Sequence, residues 1–175
     1  MTADAAETVR ARTRTVLGFP RPGVVFADLT PLIADGAALG VVADALLAPF
    51  AGRYDVIAGV EARGFVFGAA AAGRAGRGLV LIRKSGKLPG DTHGLDYELE
   101  YGTDRLEVHA DQVAPGSRVL LVDDVLATGG TIEAAAALVE LAGWRVAGVS
   151  VVLEIEALGG RARLAGHEVH AVVQR

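Results

Sequence analysis

Cysteine is absent from the 175-residue chain. Disulfides, thiolate metal sites and a cysteine nucleophile are therefore excluded, and a reducing, cytoplasmic setting is expected. Lysine is almost absent too: of the 17 cationic side chains only Lys84 and Lys87 are lysines, and they lie three residues apart. Aromatic residues make up 5%. No run of 18 apolar residues occurs, so no membrane-spanning helix is expected. The first residues carry an acid and no apolar core, so no secretory leader is expected. With a net charge of −4 and a pI near 5.5, the chain lacks the clustered cations that neutralise phosphates along a duplex, and nucleic acid is not an expected partner.

What the chain does have is apolar residues, at 51% with a mean hydropathy of +0.39. That is enough for one sizeable core, and residues 1–175 read as a single domain. Residues 4–17 read as a helix, followed by a break at Gly18-Phe19-Pro20-Arg21-Pro22-Gly23 and an extended piece at 24–26. Apolar runs at 56–60, 79–82, 119–122, 146–153 and 169–173 predict strands. Helical patterns at 37–48, 65–75 and 131–141 fall between them. Continuous apolar strands separated by helices indicate an α/β fold, a mostly parallel sheet covered on both faces. Residues 84–94 form a polar, glycine-rich loop, and the alternation over 95–101 and 105–109 predicts a hairpin. Loop and hairpin together read as a flap on the core.

The most informative stretch runs from Val119 to Thr131. A buried strand ends in Asp123-Asp124, a small-residue loop of Ala127, Thr128, Gly129 and Gly130 follows, and a helix begins at Thr131. Ligands of open α/β sheets bind beyond the carboxyl ends of the strands. A loop without bulky side chains leaves backbone N–H groups uncovered at a helix N-terminus, where the dipole favours an anion. The site suits a phosphate monoester. Two acids beside it would repel phosphate, but they suit sugar hydroxyls or a hydrated Mg²⁺. The combination predicts a ribose 5-phosphate. Two other phosphate motifs fail: Gly59 and Gly64 have P-loop spacing but Phe65 follows, and Gly73, Gly76 and Gly78 do not form G-x-G-x-x-G.

Asp123 to Thr131 resembles the phosphoribosyl pyrophosphate (PRPP) motif of the type I phosphoribosyltransferases. Four further stretches resemble the adenine-specific branch in order: residues 19–26, Arg63-Gly64-Phe65, residues 83–90, and Leu99-Glu100-Tyr101-Gly102. The resemblance spans about residues 9–172. It implies the type I phosphoribosyltransferase fold, with an N-terminal hood over about 1–34 and a flexible loop with hairpin over about 84–108. It further implies transfer of a phosphoribosyl group from PRPP to N9 of adenine, with Mg²⁺ held mainly by PRPP oxygens and water, in a homodimer. Another purine as acceptor, or a PRPP-sensing regulator without turnover, are the alternatives.

The resemblance also implies roles. Asp123 and Asp124 would bind the ribose, and Ala127, Thr128, Gly129, Gly130 and Thr131 its 5′-phosphate. Arg63, beside a non-proline cis bond at Glu61–Ala62, would grip pyrophosphate. Lys84 and Lys87 would open a lid over it, with Tyr101 nearby. Glu100 would handle a proton of the purine, although Glu98 shares its strand face. Val25, Phe26 and Ala27 would form the adenine pocket, with Ala27 standing where many relatives carry arginine. His93, His109, His167 and His170 lack metal-ligand spacing, Trp144 reads as a core or dimer contact, and Arg161 and Arg163 read as charges on a helix face.

Overall fold

The computed structural model describes residues 4–98 and 102–175. Helix α1 (Ala5–Arg12) is capped by Asp4, whose carboxylate accepts the Ala6 N–H at 2.9 Å. Residues 4–17 are thus not one helix. Thr13 closes α1, its hydroxyl donating to the Val9 carbonyl at 2.7 Å, and β1 (Arg14–Leu17) follows. β1 pairs antiparallel with β2 (Val25–Asp28), Arg14 opposite Asp28 and Leu17 opposite Val25. The β-branched Thr15 and Val16 fit a strand better than a helix once a partner strand is at hand. This two-stranded hood stands apart from the main sheet.

The chain continues through α2 (Thr30–Ala34), a short helix that the periodicity did not predict, and α3 (Gly36–Leu47). Then come β3 (Val56–Val60), α4 (Gly64–Ala75), β4 (Leu79–Lys84), β5 (Thr92–Glu98), β6 (Thr103–His109), β7 (Arg118–Leu126), α5 (Gly130–Leu141), β8 (Arg145–Glu154) and β9 (Val169–Gln174). The seven-stranded sheet has the order β5-β6-β4-β3-β7-β8-β9. Strands β4, β3, β7, β8 and β9 are parallel, and the β5–β6 hairpin adds antiparallel to β4. The expected mostly parallel α/β sheet is what forms.

Two apolar clusters lie on the two faces of this sheet. One packs α3, α4 and Phe50 against residues such as Ile57, Leu120 and Val152; the other packs α5 against Ala58, Leu121 and Val151. Alternate residues of one strand serve opposite faces, which is why β3 and residues 119–122 of β7 are apolar without interruption. Trp144 is 4% exposed and belongs to the second cluster. Among the described residues no helix is long and apolar enough to cross a membrane.

Two boundaries differ from the sequence expectation in ways that shape the site. β7 does not stop at Val122. It runs through both acids to Leu126, since Asp123, Val125 and Leu126 continue the ladder with β8. The polar loop shrinks to residues 85–91, because β5 starts at Thr92 and pairs residue for residue with β6.

Candidate functional site

The carboxyl ends of β3 and β7 flank the N-terminus of α5 and enclose a cleft of about 300 Å³. Its walls include Glu61, Arg63, Asp123, Asp124 and the whole loop Ala127, Thr128, Gly129, Gly130 and Thr131. Gly129 takes φ +86°, the left-handed conformation that glycine adopts freely. It turns the chain into α5, so the first N–H groups of the helix face the cleft without intrahelical partners.

Asp123 lies deep in this cleft. Its carboxylate accepts the Asp124 N–H at 2.8 Å, and a Cβ on Gly64 would sit 2.7 Å from its Oδ1. Burial, and then the neighbouring Asp124 charge, push the Asp123 carboxyl well above the usual carboxylate range. Asp124 is paired instead: Arg63 Nε donates to it in a close ion pair, with the arginine side chain 45% exposed and the carboxylate 9% exposed. Arg63 stands at the N-terminus of α4 without capping it. A cation there opposes the helix dipole, and Asp124 supplies the compensating charge. The Glu61–Ala62 peptide bond is cis, as is Phe19–Pro20.

A second cleft, of about 340 Å³, adjoins the first and is mostly apolar. It is lined by Val16, Phe19, Phe26, Asp28, Leu29, Thr30 and Arg63. Phe19 meets Phe26 edge-on with centroids 5.0 Å apart, and the Arg63 guanidinium lies 5.7 Å from the Phe26 centroid. Arg63 is therefore the wall that both clefts share. Of the three residues expected in a base pocket, only Phe26 presents its side chain here. On a strand its neighbours face the other way: Ala27 is buried in the core and Val25 is 53% exposed. Sequence reasoning missed Asp28. It fixes the pocket's far wall by accepting from the Thr30 N–H at 2.9 Å, the Thr30 hydroxyl at 2.6 Å and Arg14 Nη2 at 2.6 Å. Only the Asp-x-Thr spacing of a side-chain turn hinted at it.

The two lysines have different surroundings. Lys84 Nζ lies 2.9 Å from Asp104 on β6, and that hydrogen bond raises its pKa. Among the described residues no carboxylate holds the Lys87 ammonium, and its carbonyl accepts from Arg83 at 3.2 Å. Glu61 accepts the Lys84 N–H at 2.8 Å, and Glu107 accepts from the Ser85 hydroxyl at 2.7 Å and the Gly86 N–H at 3.0 Å. The base of the 85–91 loop is thereby tied to the floor of the cleft and to the hairpin. Glu100 and Tyr101 lie outside the described residues, whereas Glu98 ends β5 exposed. Arg161 and Arg163 do not lie on an α-helix. They belong to a 3-10 turn, Gly160–Leu164, and Arg161 binds the buried Glu154.

Among the described residues no cluster of three or more His, Asp or Glu side chains could hold a metal ion by itself. Asp123 and Asp124 offer adjacent carboxylates, and a divalent cation beside them would relieve the repulsion that raises the Asp123 pKa. That donor set fits a cation whose remaining ligands come from substrate oxygens and water.

Residues 32–167 match the profile of the phosphoribosyl transferase domain. Among similar proteins, an adenine phosphoribosyltransferase of Clavibacter sepedonicus is 59% identical over 169 residues, covering 97% of this chain and 88% of that protein. The crystal structure of the adenine phosphoribosyltransferase of Rhodothermus marinus superposes with a TM-score of 0.91 at 46% identity, covering 99% of both chains. That of Saccharomyces cerevisiae, complexed with an imino-altritol bisphosphate and adenine, gives 0.92 at 35% identity over 98% of this chain and 99% of that one.

Proposed function

This chain belongs to the phosphoribosyltransferase family, among its adenine phosphoribosyltransferases, and from that premise we propose that it transfers the 5-phosphoribosyl group of PRPP to N9 of adenine, giving AMP and pyrophosphate. The observation that carries this reading is the pair of adjoining clefts that share Arg63: one is polar and floored by backbone N–H groups and two acids, the other apolar and walled by Phe26. A base in the second lies beside a sugar phosphate in the first.

In this reading the N–H groups and hydroxyls of residues 127–131 take the 5′-phosphate, and Asp123 and Asp124 take the ribose hydroxyls. Arg63, adjoining the Glu61–Ala62 bond, presents its fork to pyrophosphate, for which a planar guanidinium is suited. Adenine stacks on Phe26, and main-chain groups of Val25 and Ala27 read its edge. The N9–C1′ bond forms as the C1′–O bond to pyrophosphate breaks, and the N9 proton passes to a base, for which Glu100 is the candidate. Positive charge grows at C1′ while negative charge grows on the leaving group. The cations of Arg63, Lys84 and Lys87 oppose the latter, and Mg²⁺, when present with PRPP, would add to that charge compensation. A lid formed by residues 85–91 keeps water from C1′, and Tyr101 is the further candidate for a contact with the phosphates. A homodimer in the cytoplasm belongs to the same reading.

Incubating the purified protein with PRPP, Mg²⁺ and each purine base in turn tests it. AMP from adenine, well above the product from hypoxanthine, guanine or xanthine, is expected. No nucleotide from any base would overturn it.

A further inference from the structure

The backbone of the phosphate loop is in close contact with a segment that is not among the walls of the cleft and to which no role has been given. A Cβ on Gly160 would lie 2.2 Å from the Ala127 carbonyl oxygen and 2.9 Å from the Gly129 nitrogen. Reciprocally, a Cβ on Gly129 would lie 2.5 Å from the Gly160 carbonyl oxygen. The two glycines interlock backbone against backbone, at a separation that no side chain permits on either strand of the contact. The backbone N–H groups of an anion cradle cannot be re-aimed by side-chain rotation, so their directions depend on what packs against the loop.

What holds Gly160 there is its neighbour. Arg161 Nε and Nη2 reach the two carboxylate oxygens of Glu154 at 3.0 and 2.5 Å, and Nη1 donates to the Val169 carbonyl at 2.7 Å. Glu154 is 4% exposed, and its second donor is Gln174 Nε2 at 2.9 Å. A bidentate fork fixes orientation as well as position. Further along the turn, Arg163 pairs with Glu133 of α5 at 3.2 Å, and Leu164 is buried in the core. The 3-10 turn is thus pinned to the ends of β8 and β9 on one side and to α5 on the other.

We propose that the Gly160–Leu164 turn is the back wall of the 5′-phosphate cradle and that Arg161, through its fork on Glu154, is a positioning residue for phosphate recognition. The proposal rests on the assignment of residues 127–131 to the phosphate. Its consequence is selectivity: loss of the wall weakens every ligand that carries a 5-phosphate and spares pyrophosphate, which is bound at Arg63.

Calorimetric titration of Gly160→Ala, Arg161→Gln and Arg161→Lys with ribose 5-phosphate, AMP and pyrophosphate tests this. Gly160→Ala and Arg161→Gln are expected to raise Kd for the two sugar phosphates about tenfold or more while leaving pyrophosphate within about twofold. KM for PRPP rises with them, and kcat falls less. Arg161→Lys keeps the charge but loses the fork, and stays close to Arg161→Gln. In the Gly160→Ala background Arg161→Gln adds little, because both act on one contact. Should Gly160→Ala fail to fold, the two Arg161 variants decide alone. Unchanged sugar-phosphate affinity, or equal loss of pyrophosphate, overturns the proposal. If the parent protein itself binds no ribose 5-phosphate, the assignment of the phosphate loop fails instead.

Discussion

Asp123 is a residue that the fold would be steadier without. Its carboxyl is pushed up by burial and by Asp124, so the folded protein favours the protonated form more than the unfolded chain does. Stability from this group therefore falls as pH rises from the ordinary carboxylate value through the raised one, and the penalty persists above it. Asp123→Asn keeps an oxygen to accept the Asp124 N–H and removes the charge. Thermal unfolding at pH 8 should show the variant melting higher, by roughly 2–4 °C for each kcal/mol relieved, with the gain vanishing toward pH 3. PRPP affinity should fall in the same variant. A lower melting temperature at pH 8 would mean that the charge is already compensated. The same residue illustrates what a chain alone reveals: two acids ahead of a small-residue loop signal a sugar phosphate, but nothing in the letters says that Arg63 forms its ion pair with Asp124 rather than with Asp123.

At the scale of elements, the hood is clasped by one carboxylate. Asp28 is held down to about 2 by the Thr30 hydroxyl, then by Arg14 and the Thr30 N–H. Its contribution to stability is full above the ordinary value near 4 and is lost as pH falls toward 2. In Asp28→Asn the loss of stability between pH 4 and pH 2, followed by denaturant titration, should be shallower than in the parent. KM for adenine should rise several-fold, since Asp28 and Thr30 line the apolar cleft with Phe26. An unchanged acid limb would place the clasp elsewhere. The hood was legible only in part. The break at residues 18–23 and the extended piece after it are readable, but the pattern places β1 inside a helix, because Arg14 to Leu17 becomes a strand only through its partner β2. The core strands needed no such partner to be recognised, since burial on both faces makes them apolar throughout. Long-range ion pairs such as Arg161 with Glu154 were not legible. Two arginines two apart read as solvated charges, and only the fold brings a buried carboxylate to one of them.

On the scale of the whole molecule, the sheet separates stability from chemistry. The phosphate cleft lies at the carboxyl ends of β3 and β7 and the apolar cleft adjoins it at Arg63, whereas Phe50 packs across β8 near its start. A Cβ on Gly148 would lie 2.1 Å from the Phe50 ring, which is fully buried. β7 and β8 shift register beside it, with Val119 opposite Val146 but Leu120 opposite Gly148. Gly148→Ala must therefore displace a rigid ring inside the packing layer that also holds α3 and α4 rather than the end of a flexible side chain. Overpacking of this kind costs about 1–3 kcal/mol, a fall in Tm of roughly 2–4 °C for each kcal/mol in a domain of this size. Steady-state kinetics below the melting transition should remain within about twofold of the parent, because a change of this size at a distant packing site adds independently to changes at the cleft. If KM for PRPP moves while Tm does not, the start of β8 is coupled to the phosphate loop at its far end, and the division of labour along the sheet does not hold.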